Sequence, residues 1–224
     1  MTGPEHAEEL AFWRGWLHAR GGAWAREFDE RVDPALPLHW EHAQAIGTPP
    51  GSTVDILDVG AGPLTSVGKV WAGRTLRITP VDPLADEYDH LLEECGIAPP
   101  VRTTRGDAMG LVEQFGRDRF DMVHGRNAID HTPDAPAAIR QMLGVTRPGG
   151  CVYLSHARNE GEKQGYAGMH GWNFDGEDLG QGEVRFVAWN AARRVDVSDL
   201  LMDEASVDVK LLAGWINVVM RKKM

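Results

Sequence analysis

The stretch DILDVGAGPLTSVGKVW, Asp55 to Trp71, constrains this chain more than any other. Val54, Ile56, Leu57 and Val59 make an apolar run of the length and composition of a buried strand. Gly60 and Gly62 follow, one residue apart, and let the backbone approach a ligand without Cβ collisions. Pro63 predicts a helix start, where its missing N–H costs nothing, and Gly73 predicts the stop. A strand, a glycine turn and a helix have the layout of a nucleotide-cofactor loop. The third glycine of the dinucleotide fingerprint is absent, because Thr65 stands in its place.

The alternation continues downstream. LRITPVD, VRTTRGD, FDMVHG and CVYLSH read as strands. Helices are predicted between them over the Leu84, Tyr88, Leu91, Leu92 and Cys95 face, over GLVEQFG and over DAPAAIRQML. That rhythm predicts an α/β fold with parallel strands and right-handed crossovers. SVDVKLLAG and WINVVMRKK close the chain, and their short connection at Gly214 predicts an antiparallel pair at the end of the sheet.

Two segments depart from this rhythm. Residues 1–50 carry Leu10, Trp13, Trp16 and Leu17 at helical spacing, a break at Gly21-Gly22, and a second amphipathic piece to about Val32. They predict a helical cap, joined by IGTPPGS to a main domain over residues 51–224. The cap reads either as cover for the core or as a lid on a pocket, with Trp13 and Trp16 its candidate contacts. The second segment, about residues 156–185, is long, polar and glycine-rich, and reads as a functional loop. VRFVAW then reads as a strand and DVSDLLMDEA as helical.

Composition narrows the partners. The net charge is −10 and only the terminal RKK is locally basic, which argues against nucleic acid. Cys95 and Cys151 lack metal-ligand spacing and indicate no disulfide framework. No apolar run approaches the roughly 18 residues of a membrane span, and MTGPEHAEEL lacks a signal-peptide layout. The expectation is a cytoplasmic protein, off the membrane, acting on a small molecule, with a homodimer left open.

Asp58 precedes the glycines, Asp82 ends the second strand where an acidic residue reads ribose hydroxyls, and Asp107 ends the third. An ionised carboxylate only accepts hydrogen bonds, so this set suits a ligand with hydroxyl and amine groups and repels a pyrophosphate. The ordered set DVGAGP, VDPL, GDAM, FDMVHGRNAIDHTPDAP and RPGG resembles the class I S-adenosylmethionine-dependent methyltransferases over roughly Thr53 to Leu154. The resemblance implies a Rossmann-like three-layer sandwich, its seven-stranded sheet mainly parallel with an antiparallel C-terminal strand. It implies S-adenosyl-L-methionine as cofactor, with Asp58, Gly60 and Gly62 along the methionine part. Asp82 would take the ribose, with Pro83 and Leu84 beside the adenine. Asp107 would accept the adenine amino group, Ala108 and Met109 would flank the ring, and Arg126, Asn127 and Ala128 would approach the sulfonium.

Methyl transfer from a sulfonium is a direct displacement, so the protein mainly aligns a nucleophile and excludes water. A base is needed only for an alcohol, a phenol or a protonated amine. His131, after the fourth strand, is the first candidate, and His170 in the long segment is the second. His156, Tyr166, Trp172 and Asn173 offer flat faces and amide groups to an acceptor ring. His156 and His170 are also metal-ligand types, but no acidic cluster completes a site, so no metal is expected. The expected activity is methylation at O or N of a small molecule of secondary-metabolite or sugar type. Two alternatives stay open. An NAD(P)-dependent oxidoreductase is disfavoured by Thr65 and by the absence of a Tyr-x-x-x-Lys pair, and a non-catalytic S-adenosylmethionine-binding regulatory subunit would share the cofactor site.

Overall fold

The computed structural model describes residues 4–180 and 182–224. Three helices come first: α1 (Pro4–His18), α2 (Ala25–Val32) and α3 (Trp40–Ile46). Gly21 and Gly22, at φ 87° and 54°, end α1 in the left-handed region that glycine tolerates. Then follow β1 (Thr53–Val59), β2 (Thr75–Asp82), α4 (Ala85–Glu94), β3 (Thr104–Arg105), α5 (Leu111–Phe115), β4 (Phe120–Arg126), α6 (Ala135–Val145) and β5 (Thr146–Ala157). The remainder comprises α7 (Glu160–Lys163), β6 (Asn173–Gly180), β7 (Glu183–Trp189), β8 (Arg194–Asp196), α8 (Val197–Leu200), β9 (Ala205–Leu212) and β10 (Trp215–Lys222).

The main sheet has seven strands in the order β3-β2-β1-β4-β5-β10-β9. β1 pairs in parallel with β2 and β4, and β4 with β5, while β10 runs antiparallel to both β5 and β9. This is the mainly parallel seven-stranded α/β sheet that the resemblance implies, with the antiparallel strand at its C-terminal end. Val54, Ile56, Leu57 and Val59 are all buried, as a central strand covered on both faces requires. Asp134 caps α6 by accepting from the Ala137 amide at 3.2 Å, and Pro136 stands in the first turn, where no amide donor is missed. Chain order reverses between β1 and β4, which opens a crevice beyond their carboxyl ends.

Two local expectations fail for physical reasons. No helix follows Gly62: residues 63–73 are turns, bends and two isolated bridges, Pro37 to Val70 and Trp71 to Arg74. The Thr65 hydroxyl accepts from the Val67 amide at 3.1 Å, a local bond that competes with helix formation. The amides of Lys69 and Val70 both donate to the Leu36 carbonyl, so their partners lie outside any helix. Gly68 allows this approach, since a Cβ there would sit 2.2 Å from the Pro37 oxygen.

The segment 156–185 is likewise not an open loop. β6 and β7 form a hairpin, and β8 joins it to make a second, three-stranded sheet. Trp172, Phe174, Phe186 and Ala188 from this unit join the main core with Leu154 and Ile216. Glycines and aspartates in NFDGEDLG hide the strand signal. Gly176 is required because a Cβ there would lie 2.7 Å from Val184 and 2.9 Å from Leu211.

Candidate active site

The crevice contains a cavity of about 300 Å³ between the β1, β2 and β4 ends and the N-terminal helices. Gly60 and Gly62 take φ 68° and 63°, and a Cβ on Gly60 would lie 2.3 Å from that of Ala128. A Cβ on Gly62 would lie 2.7 Å from the Trp13 ring, so α1 closes directly over the turn. Both glycines and Trp13 line the cavity.

Buried charge holds the turn. Asp82 is 7% exposed, and its carboxylate accepts from the Gly62 amide at 3.1 Å and the Leu84 amide at 3.0 Å. Burial pushes its pKa up to about 6, although these two amides favour the ionised form. Asp58 braces the turn from behind: one oxygen lies 2.7 Å from His124 Nδ1 and the other accepts from the Thr65 hydroxyl at 2.5 Å. Asp107, more exposed, accepts from the Met109 amide at 2.8 Å.

The N-terminal helices add a cation. Arg31 bonds Glu27 through two nitrogens and donates to the Leu64 carbonyl at 2.5 Å, and its guanidinium packs beside Trp13 and Trp16. Glu27 also receives Arg126 at 2.9 Å. Burial pushes the Glu27 carboxyl up, but the two arginines outweigh it and hold its pKa below the usual value. Arg31 and Arg126 both face the cavity.

At the mouth, Asp130 and His131 sit on a 3-10 turn, Ile129–His131, after β4. His170 reaches them because the Gly171 amide donates to the Asp130 carbonyl at 3.1 Å. Asp130 Oδ2 lies 2.8 Å from His170 Nδ1, which lies 3.2 Å from His131 Nε2. The bond to Asp130 raises the His170 pKa against partial burial. Burial pushes Asp130 up, but His170 and the neighbouring imidazoles carry it below the ordinary value. Full burial lowers His156 to about 4.

The structure gathers Asp58, Gly60, Gly62, Asp82, Pro83, Leu84, Asp107, Ala108, Arg126, Asn127, Ala128, Trp13 and His131 around one cavity. Asn127 takes the left-handed region at φ 49°, and its side-chain oxygen accepts from the Ala157 amide at 3.0 Å. Met109 lies off the cavity wall and packs on the core. Four expected acceptor contacts are core residues instead. Trp16 packs on Phe28, Trp172 is buried beside Arg193, and His156 is buried against Phe174. Asn173 ties Glu162, Tyr166 and Trp189 together. Tyr166 is partly exposed, but its hydroxyl accepts from Asn173 and it lies off the cavity.

Sequence reasoning missed Glu27, Arg31, His124 and Asp130. A histidine inside the apolar strand FDMVHG is a signal that could have marked His124, and Asp130 directly precedes a histidine already singled out. Nothing local distinguishes Glu27 and Arg31 from a surface ion pair one helical turn apart.

The model of a family described as a methyltransferase domain matches residues 56–150. Over those residues the chain resembles the class I methyltransferases. S-adenosyl-L-methionine is the cofactor of that class. The chain is 27% identical over 165 residues to the ubiquinone biosynthesis O-methyltransferase of Stutzerimonas stutzeri, covering 69% of this chain. The match spans 64% of that relative, just under two thirds of its length. A protein of Methanococcus maripaludis assigned to the S-adenosyl-L-methionine-dependent methyltransferases shares the fold, with a TM-score of 0.57 at 10% identity over 94% of this chain and 92% of that one. The 1,6-didemethyltoxoflavin-N1-methyltransferase of Burkholderia thailandensis, solved with its substrate and S-adenosylhomocysteine, gives 0.51 at 19% identity, covering 100% and 92%.

The residues present fit the cofactor. The glycine turn leaves a cradle that any Cβ would fill, and Asp82 beneath it offers acceptors to vicinal hydroxyls. Arg31 and Arg126 offer donors to a carboxylate, and Leu84 and Ala108 give an apolar wall to a flat ring.

Proposed function

We propose that this chain transfers a methyl group from S-adenosyl-L-methionine to an oxygen or nitrogen of a small molecule. The observation that carries this reading is the buried carboxylate of Asp82 beneath the Gly60–Gly62 turn, on a cavity that Arg31 also lines. When bound, the cofactor supplies an electrophilic methyl group on sulfur. Asp82 accepts the ribose hydroxyls, Asp107 accepts from the adenine amino group, and Arg31 with Arg126 holds the α-carboxylate. Asp58, committed to His124 and Thr65, keeps the turn in place.

Residues 4–50 act as a lid in this reading, with Trp13 over Gly62 to exclude water from the reacting centre. His131 lines the cavity and is the side chain that meets the acceptor. The Stutzerimonas relative is named for O-methylation in ubiquinone biosynthesis and the Burkholderia neighbour for N1-methylation, which supports a ring-bearing acceptor at either atom type. Residues 4–180 and 182–224 contain no helix long and apolar enough to cross a membrane.

Incubation with methyl-labelled cofactor and a panel of phenols, sugars, N-heterocycles and amines tests the proposal. Label in a small-molecule product supports it. Tight cofactor binding with no transfer to any member favours the regulatory-subunit alternative.

A further inference from the structure

We propose that Asp130, His131 and His170 bind one divalent first-row transition-metal ion at the mouth of the cavity. Asp130 Oδ2 lies 2.8 Å from His170 Nδ1 and 3.6 Å from His131 Nε2, and the two ring nitrogens are 3.2 Å apart. Ligand atoms that share such an ion at about 2.0–2.2 Å lie roughly 3 Å from one another. A point about 2 Å from all three atoms therefore exists just off their common plane. Two imidazoles and one carboxylate on one face of the ion leave the opposite positions open.

A second observation points the same way. Asp130 and His156 are each 1% exposed, yet Asp130 Oδ1 and both ring nitrogens of His156 are without a hydrogen-bond partner among the described residues. A carboxylate this deeply buried and only half satisfied is costly unless a cation shares it. His156 Nδ1 lies 3.6 Å from Asp130 Oδ1, where a small shift would let it hold a ligating carboxylate from behind. The three ligand atoms themselves crowd one point, and His170 Nδ1 can offer at most one hydrogen to the two acceptors facing it.

The site is reachable. The His131 and His170 side chains are 14% and 26% exposed, and His131 lines the cavity. An acceptor hydroxyl would take one of the open positions of the ion and be acidified there. In that case the hydroxyl proton passes to solvent, the carbon–sulfur bond breaks and an oxygen–methyl bond forms, with no change of oxidation state. This last assignment rests on the methyl-transfer reading, whereas the metal site does not.

The test is titration of the full chain, free of tag histidines and stripped by chelation, with cobalt(II) alone. Visible absorption and calorimetry report uptake. One ion per chain is expected, weakened at least tenfold in His131→Ala and in His170→Gln and unchanged in His39→Ala, whose ring lies on the surface. An unaltered melting temperature for His170→Gln shows that the loss is of the site and not of the fold. No uptake at micromolar cobalt, or uptake equal in wild type and both site variants, overturns the proposal. The wild-type affinity for S-adenosyl-L-methionine, measured alongside, separates the two readings: cobalt bound without cofactor affinity supports the metal site and sinks methyl transfer.

Discussion

Replacing Asp82 by asparagine should relieve a pH-dependent loss of stability while weakening the cofactor site. The buried carboxylate titrates near pH 6 in the folded chain against 3.8 for the ordinary group. Between those values the folded chain holds a proton that the unfolded chain has released. The stability this group contributes is therefore full below 3.8 and lost as pH rises through 6. A shift of about two pKa units corresponds to about 3 kcal/mol. The asparagine carries no charge and keeps one acceptor oxygen. The variant therefore escapes that loss but leaves the Gly62 or Leu84 amide unpaired, a cost of about 1–3 kcal/mol.

Relative to wild type, the Asp82→Asn chain should thus gain about 3 kcal/mol between pH 3.5 and pH 8, read by urea unfolding at both values. At pH 8 it should bind S-adenosyl-L-methionine about 10- to 150-fold more weakly, the equivalent of one charge-assisted hydrogen bond of about 1.5–3 kcal/mol. A stability difference that does not move with pH refutes the burial argument. An affinity within threefold of wild type refutes the ribose assignment.

Other perturbations test the remaining parts of the site. Gly60→Ala should abolish measurable cofactor binding and destabilise by about 2–4 kcal/mol, through a left-handed φ and the contact with Ala128. Adding Ala128→Gly should restore part of both, and a double variant no better than the single one would contradict the steric account. Arg31→Met should destabilise the chain by about 2–3 kcal/mol in chemical unfolding, since the Leu64 carbonyl loses its donor and Glu27 keeps only Arg126. It should also weaken S-adenosyl-L-methionine more than methylthioadenosine, which lacks the carboxylate, and equal losses for both would remove Arg31 from carboxylate recognition. Trp13→Ala should speed cofactor release in stopped flow by about tenfold, about 1.4 kcal/mol of lost cover, and an unchanged off-rate would deny α1 a lid role.

The sheet was legible because its strands are apolar runs closed by glycine, and carboxylates at three strand ends marked the crevice. What misled was local chemistry overridden by tertiary contacts. Pro63 and Gly73 bracket a plausible helix, yet Thr65 bonds Asp58 and Lys69 and Val70 pair with Leu36. The segment around Trp172 reads as a functional loop because aromatic rings suit ligands and cores equally. Trp172 and Phe174 went to the core because the hairpin that follows supplies Phe186 and Ala188 to meet them. Both mouth histidines were visible, but Asp130 gains meaning only when the Gly171 amide draws His170 across from 40 residues away. Arg31 carried no signal, because a helical Glu-to-Arg pair is usually a solvated one.

Calorimetric titration of the chain with S-adenosyl-L-methionine and, separately, with NAD tests the central claim most directly. One S-adenosyl-L-methionine per chain is expected, lost in Gly60→Ala, with no heat from NAD. Binding of NAD without binding of S-adenosyl-L-methionine would contradict the claim.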